Sequence, residues 1–283
     1  MLASISISAP FSMPSYLITG ASRGLGWEFL RQISSDPKNT VIGLVRDKPA
    51  TEKRVMEELE SPLNMHILQA DITDYNSSQA ASAQTALITG GGLDYLIANA
   101  GYVSKFDAYD GIGVLGEQPE ALEEDLTHCF RVNVLGNIHL FNVFLPLILQ
   151  GEAKKVIALS TGLANLSLIP KYNVEAASLY AISKAGLNTA VAKFSAQYAK
   201  TGLLFMSICP GMVETGHFTD ATPEQMRGLA GMLTAFHEYA PHFRGPSTPE
   251  AAVRDVLSVM HRASVQNGNG GTFVSHYGTR QFL

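Results

Sequence analysis

Cysteine is nearly absent from this sequence, which has only Cys129 and Cys209 among its 283 residues. Two cysteines form neither a disulfide framework nor a metal motif, and their scarcity is typical of a reducing compartment. Charge is also sparse, because Asp, Glu, Lys and Arg make up 16% of the chain and the net charge is −5. No long basic run is present, so nucleic acid and anionic membranes are poor candidates for a partner.

Long apolar segments and targeting signals are further features that we do not find. No apolar run approaches the roughly 20 residues that span a bilayer. Residues 1–14 lack a basic stretch and contain Pro10 and Pro14. We therefore expect a cytoplasmic protein without membrane contacts, with a flexible lead-in over 1–14. No repeat, linker or low-complexity tract divides the chain, so we expect one domain over 1–283.

Short apolar runs alternate with segments of helical spacing along most of the chain. The apolar runs predict buried strands at 15–20, 40–46, 65–71, 93–101, 155–161, 203–211 and 270–278. The intervening segments predict helices at 25–34, 49–61, 76–90, 120–149, around 180 to 200, and 248–263, the last capped by Thr248 or Ser247. This alternation predicts an α/β fold of three layers, in which a doubly wound parallel sheet of about seven strands is flanked by helices.

The segment 212–247 interrupts this alternation after the sixth predicted strand. We expect a long irregular insertion here, in the position of a lid over a substrate, although a variable surface loop would have the same composition. Its bulky side chains favour a large, partly aromatic substrate, and none of its histidines has metal-ligand spacing, so we predict no metal site. The side chains in question are Met212, His217, Phe218, Met226, Met232, Phe236, His237, Tyr239 and Phe243.

A glycine-rich stretch, TGASRGLG at 19–26, joins the first predicted strand to the first helix. Glycine lets the backbone turn tightly and approach a pyrophosphate, and the helix that follows offers free N–H groups and the positive end of its dipole. The stretch therefore predicts a dinucleotide-binding loop with the members Gly20, Ser22, Arg23, Gly24, Leu25 and Gly26.

The end of the second strand indicates which dinucleotide this loop would bind. An NAD site has Asp or Glu there to accept from the ribose, whereas this chain has Val45 followed by Arg46. The guanidinium groups of Arg46 and Arg23 suit a 2′-phosphate, so we predict NADP(H). A shift of the loop that brings Asp47 to the ribose would favour NAD(H) instead. The adenine would lie at Asp71 and Ile72, unless the Asp71 carboxylate serves as a helix cap or turn residue.

Tyr180 and Lys184 are four positions apart in LYAISKAGLN (179–188) and would share one face of a helix. An ammonium group favours the ionised form of a nearby phenol, whose reference pKa is about 10. Such a tyrosine can act as acid and base near neutral pH. A half-buried tyrosine beside a solvated lysine has the same spacing, so the pair alone does not identify a catalytic site.

Six motifs occur in the order found in the short-chain dehydrogenase/reductase family, which the sequence resembles. They are TGASRGLG (19–26), ANAG (98–101), Asn133 within RVNVLGN, ALST (158–161), YAISK (180–184) and PGMVET (210–215). The resemblance covers nearly the whole chain and implies a Rossmann fold and an oxidoreductase that uses a nicotinamide dinucleotide. The surrounding text looks most like fungal members, many of which are reductases of secondary metabolism.

The resemblance implies roles for individual residues. Tyr180 would be the catalytic acid/base, and Lys184 would bind the nicotinamide ribose and lower the pKa of Tyr180. Asn133 would hold a water molecule in a proton relay beyond Lys184. The cofactor cleft would be lined by Asn99, Ala100 and Gly101, and the nicotinamide would be cradled by Pro210, Gly211, Val213 and Thr215.

One position departs from the family pattern. The serine that orients the substrate carbonyl is often the second of a Ser-Ser pair, which here is Ser160-Thr161. Thr161 takes this role by position and Ser160 by chemical identity. The threonine hydroxyl can donate the same hydrogen bond, but its methyl group narrows the pocket. The segment that follows is longer than in many members of the family, which would place Tyr172, Asn173 and Glu175 at a substrate mouth.

These interpretations together predict an enzyme that reduces a ketone or aldehyde with NADPH, or oxidises the alcohol in reverse, with Tyr180 as acid/base. An isomerase or cyclase that holds NADP(H) without net redox change is the alternative, and the threonine at 161 motivates it. Members of the family commonly assemble through the two long helices. The stretch LFNVFLPLIL (140–149) therefore favours a homodimer or homotetramer, although it would equally suit core packing.

Overall fold

The computed structural model of the chain describes residues 13–59, 63–216 and 222–283. The flexible lead-in predicted for 1–14 lies almost wholly outside the described residues. His217 and Phe218 of the predicted lid lie outside them as well.

Seven parallel strands form one sheet, as the apolar runs predict. They are β1 (Ser15–Thr19), β2 (Thr40–Val45), β3 (Met65–Gln69), β4 (Tyr95–Ala98), β5 (Lys155–Leu159), β6 (Leu204–Cys209) and β7 (Phe273–Ser275). Their order across the sheet is β3-β2-β1-β4-β5-β6-β7, and each neighbouring pair is parallel. The chain therefore begins near the middle of the sheet and winds outward in both directions, which confirms the doubly wound Rossmann arrangement.

Helices cover both faces of this sheet. They are α1 (Gly24–Ser34), α2 (Lys48–Glu58), α3 (Tyr75–Thr89), α4 (Ile112–Leu115), α5 (Pro119–Phe130), α6 (Asn137–Gln150), α7 (Leu168–Lys171), α8 (Ser178–Gln197), α9 (Pro223–Tyr239) and α10 (Pro249–Arg262). Helices α1 and α10 pack in one core, while α3, α6 and α8 pack in the core on the opposite face. Strands covered on both faces are buried over most of their length, as β1 and β6 are at every position, which is why they appear as apolar runs.

The helix predicted over 120–149 is interrupted, because a π-helical segment, Arg131–Gly136, separates α5 from α6. Our statement that no apolar run approaches a membrane-spanning length is wrong, since Pro119–Gln150 is long and apolar enough to qualify. In this fold the apolar side of α6 packs against the sheet and forms part of the core. Its fully buried side chains are Leu140, Phe141, Phe144 and Ile148.

The prediction of an irregular insertion over 212–247 is also wrong, because α9 occupies a large part of it. Thr222 begins this helix with a capping box, in which its hydroxyl accepts from the Gln225 N–H and the Gln225 side chain accepts from the Thr222 N–H. Two glycines within the helix lower its intrinsic propensity and obscure its period in the sequence. The apolar positions that stabilise it are Leu229, Met232 and Phe236, all buried in one cluster.

Helix α10 begins where the sequence predicts. The Thr248 hydroxyl accepts a hydrogen bond from the Ala251 N–H at 3.2 Å, so Thr248 is the cap and not its neighbour Ser247. Ser247 instead donates its backbone N–H to the Met212 carbonyl oxygen at 2.9 Å. This bond ties the start of α10 to the chain that leaves β6.

Candidate active site

The predicted motifs meet at the carboxyl edge of the sheet, because parallel strands all end at the same edge. Gly20 follows β1, Asn99 follows β4, Ser160 follows β5 and Pro210 follows β6. The fold therefore brings four segments together that are far apart in the sequence.

The glycine-rich loop has the backbone that its sequence predicts. Gly20 and Gly24 have φ angles of 67° and 55°, in the left-handed region that favours glycine. A Cβ atom on Gly26 would overlap the carbonyl oxygen of Gly20, so a larger residue there would displace the loop. The Asn99 amide donates to the Thr19 carbonyl oxygen at 2.9 Å and fixes the loop to the end of β4.

The first turn of α1 is suited to bind an anion. Its N-cap residue is Arg23, whose side chain makes no capping hydrogen bond, and no other side chain among the described residues accepts from the N–H groups of this turn. Thr215, from the segment after β6, lies across from the loop, because a Cβ on Gly24 would be 3.9 Å from the Thr215 Cγ2 atom. The geometry fits a dinucleotide held between these two segments.

The three residues at the end of β2, Val45, Arg46 and Asp47, lie in different environments. Val45 is buried, while the Arg46 side chain is exposed at the edge of the sheet. Asp47 is the N-cap of α2, and its carboxylate accepts from the Ala50 N–H at 3.0 Å. This bond holds the Asp47 carboxylate at the start of α2.

Asp71 stabilises a turn, which is the alternative that the sequence left open to a contact with the adenine. Its Oδ1 accepts from both the backbone N–H and the hydroxyl of Thr73, at 2.8 Å each. Burial raises the pKa of Asp71, but these bonds and the charges of Arg46 and Arg131 outweigh it and lower the pKa overall. Ile72 is buried and its carbonyl oxygen packs against Gly136 of the π-helical segment.

Two residues that the sequence did not point to support the cofactor segments. The Arg54 guanidinium stacks over Trp27, 3.9 Å from the ring centroid, and donates to the Ser22 carbonyl oxygen at 3.0 Å. His276 packs where a side chain on Gly211 would lie, with its Cε1 atom 2.8 Å from the ideal Cβ position. Both contacts join residues distant in sequence, so no local pattern could have revealed them.

Tyr180 and Lys184 lie on α8, as their spacing predicts. The Lys184 side chain is buried, and its Nζ donates to the Leu159 carbonyl oxygen at 2.8 Å while lying 5.8 Å from the centroid of the Tyr180 ring. Burial lowers the pKa of Lys184 to about 8. The ammonium group therefore points toward the end of β5, and its atoms are not bonded to the phenol.

The predicted lowering of the Tyr180 pKa is wrong for this structure. Burial raises the pKa of Tyr180, and the nearby Cys209, Cys129 and Asp107 raise it further. The loss of hydration on burial is the largest cause, and the Lys184 ammonium group donates to the Leu159 carbonyl oxygen and not to the phenol. The raised pKa favours the protonated phenol over the phenolate at neutral pH.

Thr161 and Ser160 point to different places. Thr161 lines the same cavity as Tyr180, and its Oγ1 accepts from the Leu163 N–H at 3.3 Å. The Ser160 hydroxyl is buried away from that lining and has no hydrogen-bond partner among the described residues. The geometry favours Thr161 as the hydroxyl that meets a substrate.

The cavity lined by Tyr180 and Thr161 has a volume of about 220 Å³. Gly211, Val213 and Thr215 of the predicted nicotinamide segment line it, and so does the Cys209 side chain. Most of the remaining lining is apolar. It includes Met212, Met232 and Phe236 from the predicted lid, together with Leu163, Leu168 and Phe282.

None of the three residues predicted near a mouth, Tyr172, Asn173 and Glu175, lines the cavity, and their place at its entrance stays a prediction. Tyr172 instead packs edge-on against Tyr239 of α9, with ring centroids 5.2 Å apart.

Phe282 forms part of the cavity wall. Phe282 occupies the space beside Gly162, where a Cβ would lie 2.8 Å from the Phe282 Cβ atom.

Asn133 is fully buried and hydrogen-bonds to both the loop after β4 and helix α8. Its Oδ1 accepts from the Tyr102 N–H at 2.8 Å, and its Nδ2 donates to the Tyr102 carbonyl oxygen at 2.8 Å and to the Ser183 hydroxyl at 2.9 Å. Gly101 is close by, with its ideal Cβ position 3.2 Å from the Lys184 Nζ. Ala100 donates its N–H to the Thr19 hydroxyl at 2.9 Å. The relay role of Asn133 stays a prediction.

Similar proteins of known family extend over nearly the whole chain. The family model described as short chain dehydrogenase matches residues 15–226. The short chain dehydrogenase virK of Hypocrea virens is 61% identical over 271 residues, covering 96% of this chain and 100% of that protein. The short-chain dehydrogenase/reductase iacC of Pestalotiopsis fici is 52% identical over 272 residues, with the same coverage. These relatives confirm the expected likeness to fungal members.

Solved structures of the same fold include two carbonyl reductases. The carbonyl reductase Sniffer of D. melanogaster has a TM-score of 0.73 at 21% identity, covering 94% of this chain and 98% of that one. An NADPH-bound carbonyl reductase from chicken fatty liver has a TM-score of 0.71 at 22% identity, with the same coverage. With a family model that matches most of the chain and relatives above half identity, this protein belongs to the short-chain dehydrogenase/reductase family of oxidoreductases.

Proposed function

We propose that the protein reduces a ketone or aldehyde with NADPH. The observation that carries the proposal is the presence of the Tyr180 and Thr161 side chains in the lining of one cavity, together with Val213 and Thr215. NADPH, when bound, supplies the hydride. Two hydroxyl donors beside a carbonyl oxygen stabilise the alkoxide that develops as the carbonyl is reduced.

The protonation states of the site support reduction over oxidation. The raised pKa of Tyr180 keeps the phenol protonated at neutral pH, so it can donate a proton to the developing alkoxide. Lys184, with a pKa of about 8, is mostly an ammonium ion under the same conditions. It has three N–H donors and one is used by the Leu159 carbonyl oxygen, which leaves donors for a ribose hydroxyl. Oxidation would need the phenolate and is therefore expected only at high pH.

The cavity supports a bulky, largely apolar substrate. Its walls contain Met, Phe, Leu and Val side chains, and its polar lining residues are Ser104, Thr161, Tyr180, Glu214 and Thr215. A carbonyl oxygen would bind at the hydroxyls while an aromatic or alicyclic body contacts the apolar walls. Such a substrate agrees with a role in secondary metabolism, which we propose from the fungal resemblance.

The choice of NADPH over NADH is supported by the exposed Arg46 and Arg23 at the dinucleotide loop and by the engagement of Asp47 as a helix cap. We expect wild-type protein to bind NADPH more tightly than NADH. Replacing Arg46 by Ala should weaken NADPH binding roughly tenfold or more, because one charge-assisted hydrogen bond contributes about 1.5–3 kcal/mol. NADH binding should change little.

Fluorescence of Trp27, the one tryptophan of the chain, can report both titrations because it lies in the first helix after the loop. Arg262→Ala is the matched control, since Arg262 ends α10 next to the first residue of β5, at the opposite edge of the sheet. Equal affinity for the two cofactors in wild type would contradict the choice of NADPH. In a screen of bulky ketones, conversion that leaves NADPH unconsumed would instead support an isomerase or cyclase.

We also propose that the protein assembles as a homodimer or homotetramer through its two long helices. Phe130 at the end of α5, Leu135 in the π-helical segment and Ile182 on α8 are 39%, 49% and 40% exposed. Gly186 of α8 lies against the Phe130 ring, so the exposed end of α5 adjoins α8. An apolar patch of this kind commonly marks an interface.

Replacing Ile182 by Asp should lower the mass in solution toward that of the monomer, because burying a carboxylate in an apolar interface is costly. Sedimentation or light scattering measures this directly. Leu87→Asp is the control, since Leu87 is 86% exposed on α3. A wild-type protein of monomer mass would contradict the proposal.

A further inference from the structure

The catalytic helix α8 is capped by a residue from another part of the chain. Asp107, in the loop that follows β4, has no exposed surface, and its Oδ2 accepts from the Tyr180 backbone N–H at 2.9 Å. Its backbone carbonyl oxygen accepts from the Ala177 N–H at 2.8 Å. Ala177, the N-cap residue, makes no side-chain cap of its own and has a φ of 59°, in the left-handed region. Asp107 therefore supplies the cap and holds a strained turn in place.

We propose that Asp107 is a positioning residue for Tyr180, fixing where the phenol lies in the cavity. The proposal rests on the proposed function, because it deepens the role given there to Tyr180. The carboxylate binds the peptide group of Tyr180 itself, so the two bonds from Asp107 fix the backbone from 177 to 180 at the point where the side chain leaves the helix. An acid that must meet a carbonyl oxygen depends on such placement.

The loop that carries Asp107 is held by several hydrogen bonds and also forms part of the cavity. The Ser104 hydroxyl accepts from the N–H groups of Phe106 and Asp107, at 3.0 and 3.2 Å. Tyr102 is held at both backbone atoms by Asn133. Val103, Ser104 and Ala108 line the cavity. Substrate contacts and the placement of the catalytic phenol therefore share one loop.

The charge of Asp107 adds an effect that its capping bond does not. Burial is the largest cause of the raised pKa of Tyr180, and Cys209 from β6, Cys129 from α5 and Asp107 add to it, while the Lys184 ammonium on α8 lies 5.8 Å from the ring centroid. Asparagine at position 107 keeps an oxygen that can accept from the Tyr180 N–H but carries no charge. Asp107→Asn should therefore preserve placement and move the alkaline limit of the reductive pH profile to lower pH.

The test compares Asp107→Ala, Asp107→Asn and Asp110→Ala, the last being an exposed aspartate in the same loop. We expect Asp107→Ala to lower kcat roughly ten- to a hundredfold with the NADPH dissociation constant unchanged. Asp107→Asn should restore most of kcat, and Asp110→Ala should match wild type. In the cofactor-free protein, amide hydrogen exchange over 177–184 should be faster in Asp107→Ala only.

Wild-type kcat and wild-type exchange in Asp107→Ala would overturn the inference, and so would a loss in both Asp107 variants that is confined to KM. If Asp107→Ala does not fold, the kcat and pH profile of Asp107→Asn decide, and a wild-type profile overturns the inference. The proposed function fails separately, when Tyr180→Phe turns over as fast as wild type. A dead Tyr180→Phe beside a fully active Asp107→Ala would reject only the role of Asp107.

Discussion

Replacing Tyr180 by Phe should lower kcat for carbonyl reduction by roughly a hundred- to ten-thousandfold. The phenol lines the cavity and is protonated at neutral pH, so it is the group placed to give a proton to the reduced carbonyl. The ring itself remains in the variant, and NADPH should bind with its wild-type dissociation constant. Stopped-flow measurement of NADPH oxidation separates the two effects.

Tyr172→Phe is the matched control for this experiment, because Tyr172 also packs at the site but lies outside the cavity lining. It should keep wild-type turnover. A Tyr180→Phe protein that retains more than a tenth of wild-type kcat would mean that another group supplies the proton, and the proposed mechanism would have to be abandoned.

Removing the Thr161 hydroxyl should have the second largest effect. Thr161→Val keeps the shape of the side chain but removes a donor to the developing alkoxide, and such a loss costs roughly a hundred- to a thousandfold in kcat. Thr161→Ser should retain activity, because serine offers the same donor. Steady-state kinetics on any ketone that the wild type reduces would measure both.

Ser160→Ala tests whether Ser160, and not Thr161, is the hydroxyl that contacts the substrate. The Ser160 hydroxyl is buried without a partner among the described residues, so its removal should leave kcat unchanged and the protein at least as stable as wild type. An inactive Ser160→Ala beside an active Thr161→Val would show that the roles of the two neighbours had been assigned the wrong way round.

Much of the fold could be predicted from the sequence because its strands are buried on both faces. The strand β6 is buried at each of its six positions, and such strands appear as apolar runs bounded by glycine or polar residues. The glycine-rich loop could also be predicted from the sequence. A positive φ angle such as that of Gly24 favours glycine at its position. Helix α9 was missed because the glycines and prolines of the segment 212–247 suggested a loop, while the capping box and apolar spacing of the helix indicated the opposite.

The site was harder to predict, because its decisive contacts join distant parts of the chain. Asp107 and Tyr180 are 73 positions apart, and nothing near either residue indicates that one caps the helix of the other. The pKa of Tyr180 depends on burial in the folded state, which a spacing of four residues to Lys184 does not encode. The choice between Ser160 and Thr161 likewise required the direction of each side chain.

The contact between Gly162 and Phe282 links substrate range to a position far from the reacting groups. Phe282 is fully buried, stacks on Phe273 and fills the volume that any side chain at 162 would need. The two positions therefore share a single space and should covary among relatives, with a larger residue at one accompanied by a smaller residue at the other. Because residue 282 lies outside the catalytic motifs, the cavity can be reshaped during evolution while Thr161 and Tyr180 stay in place.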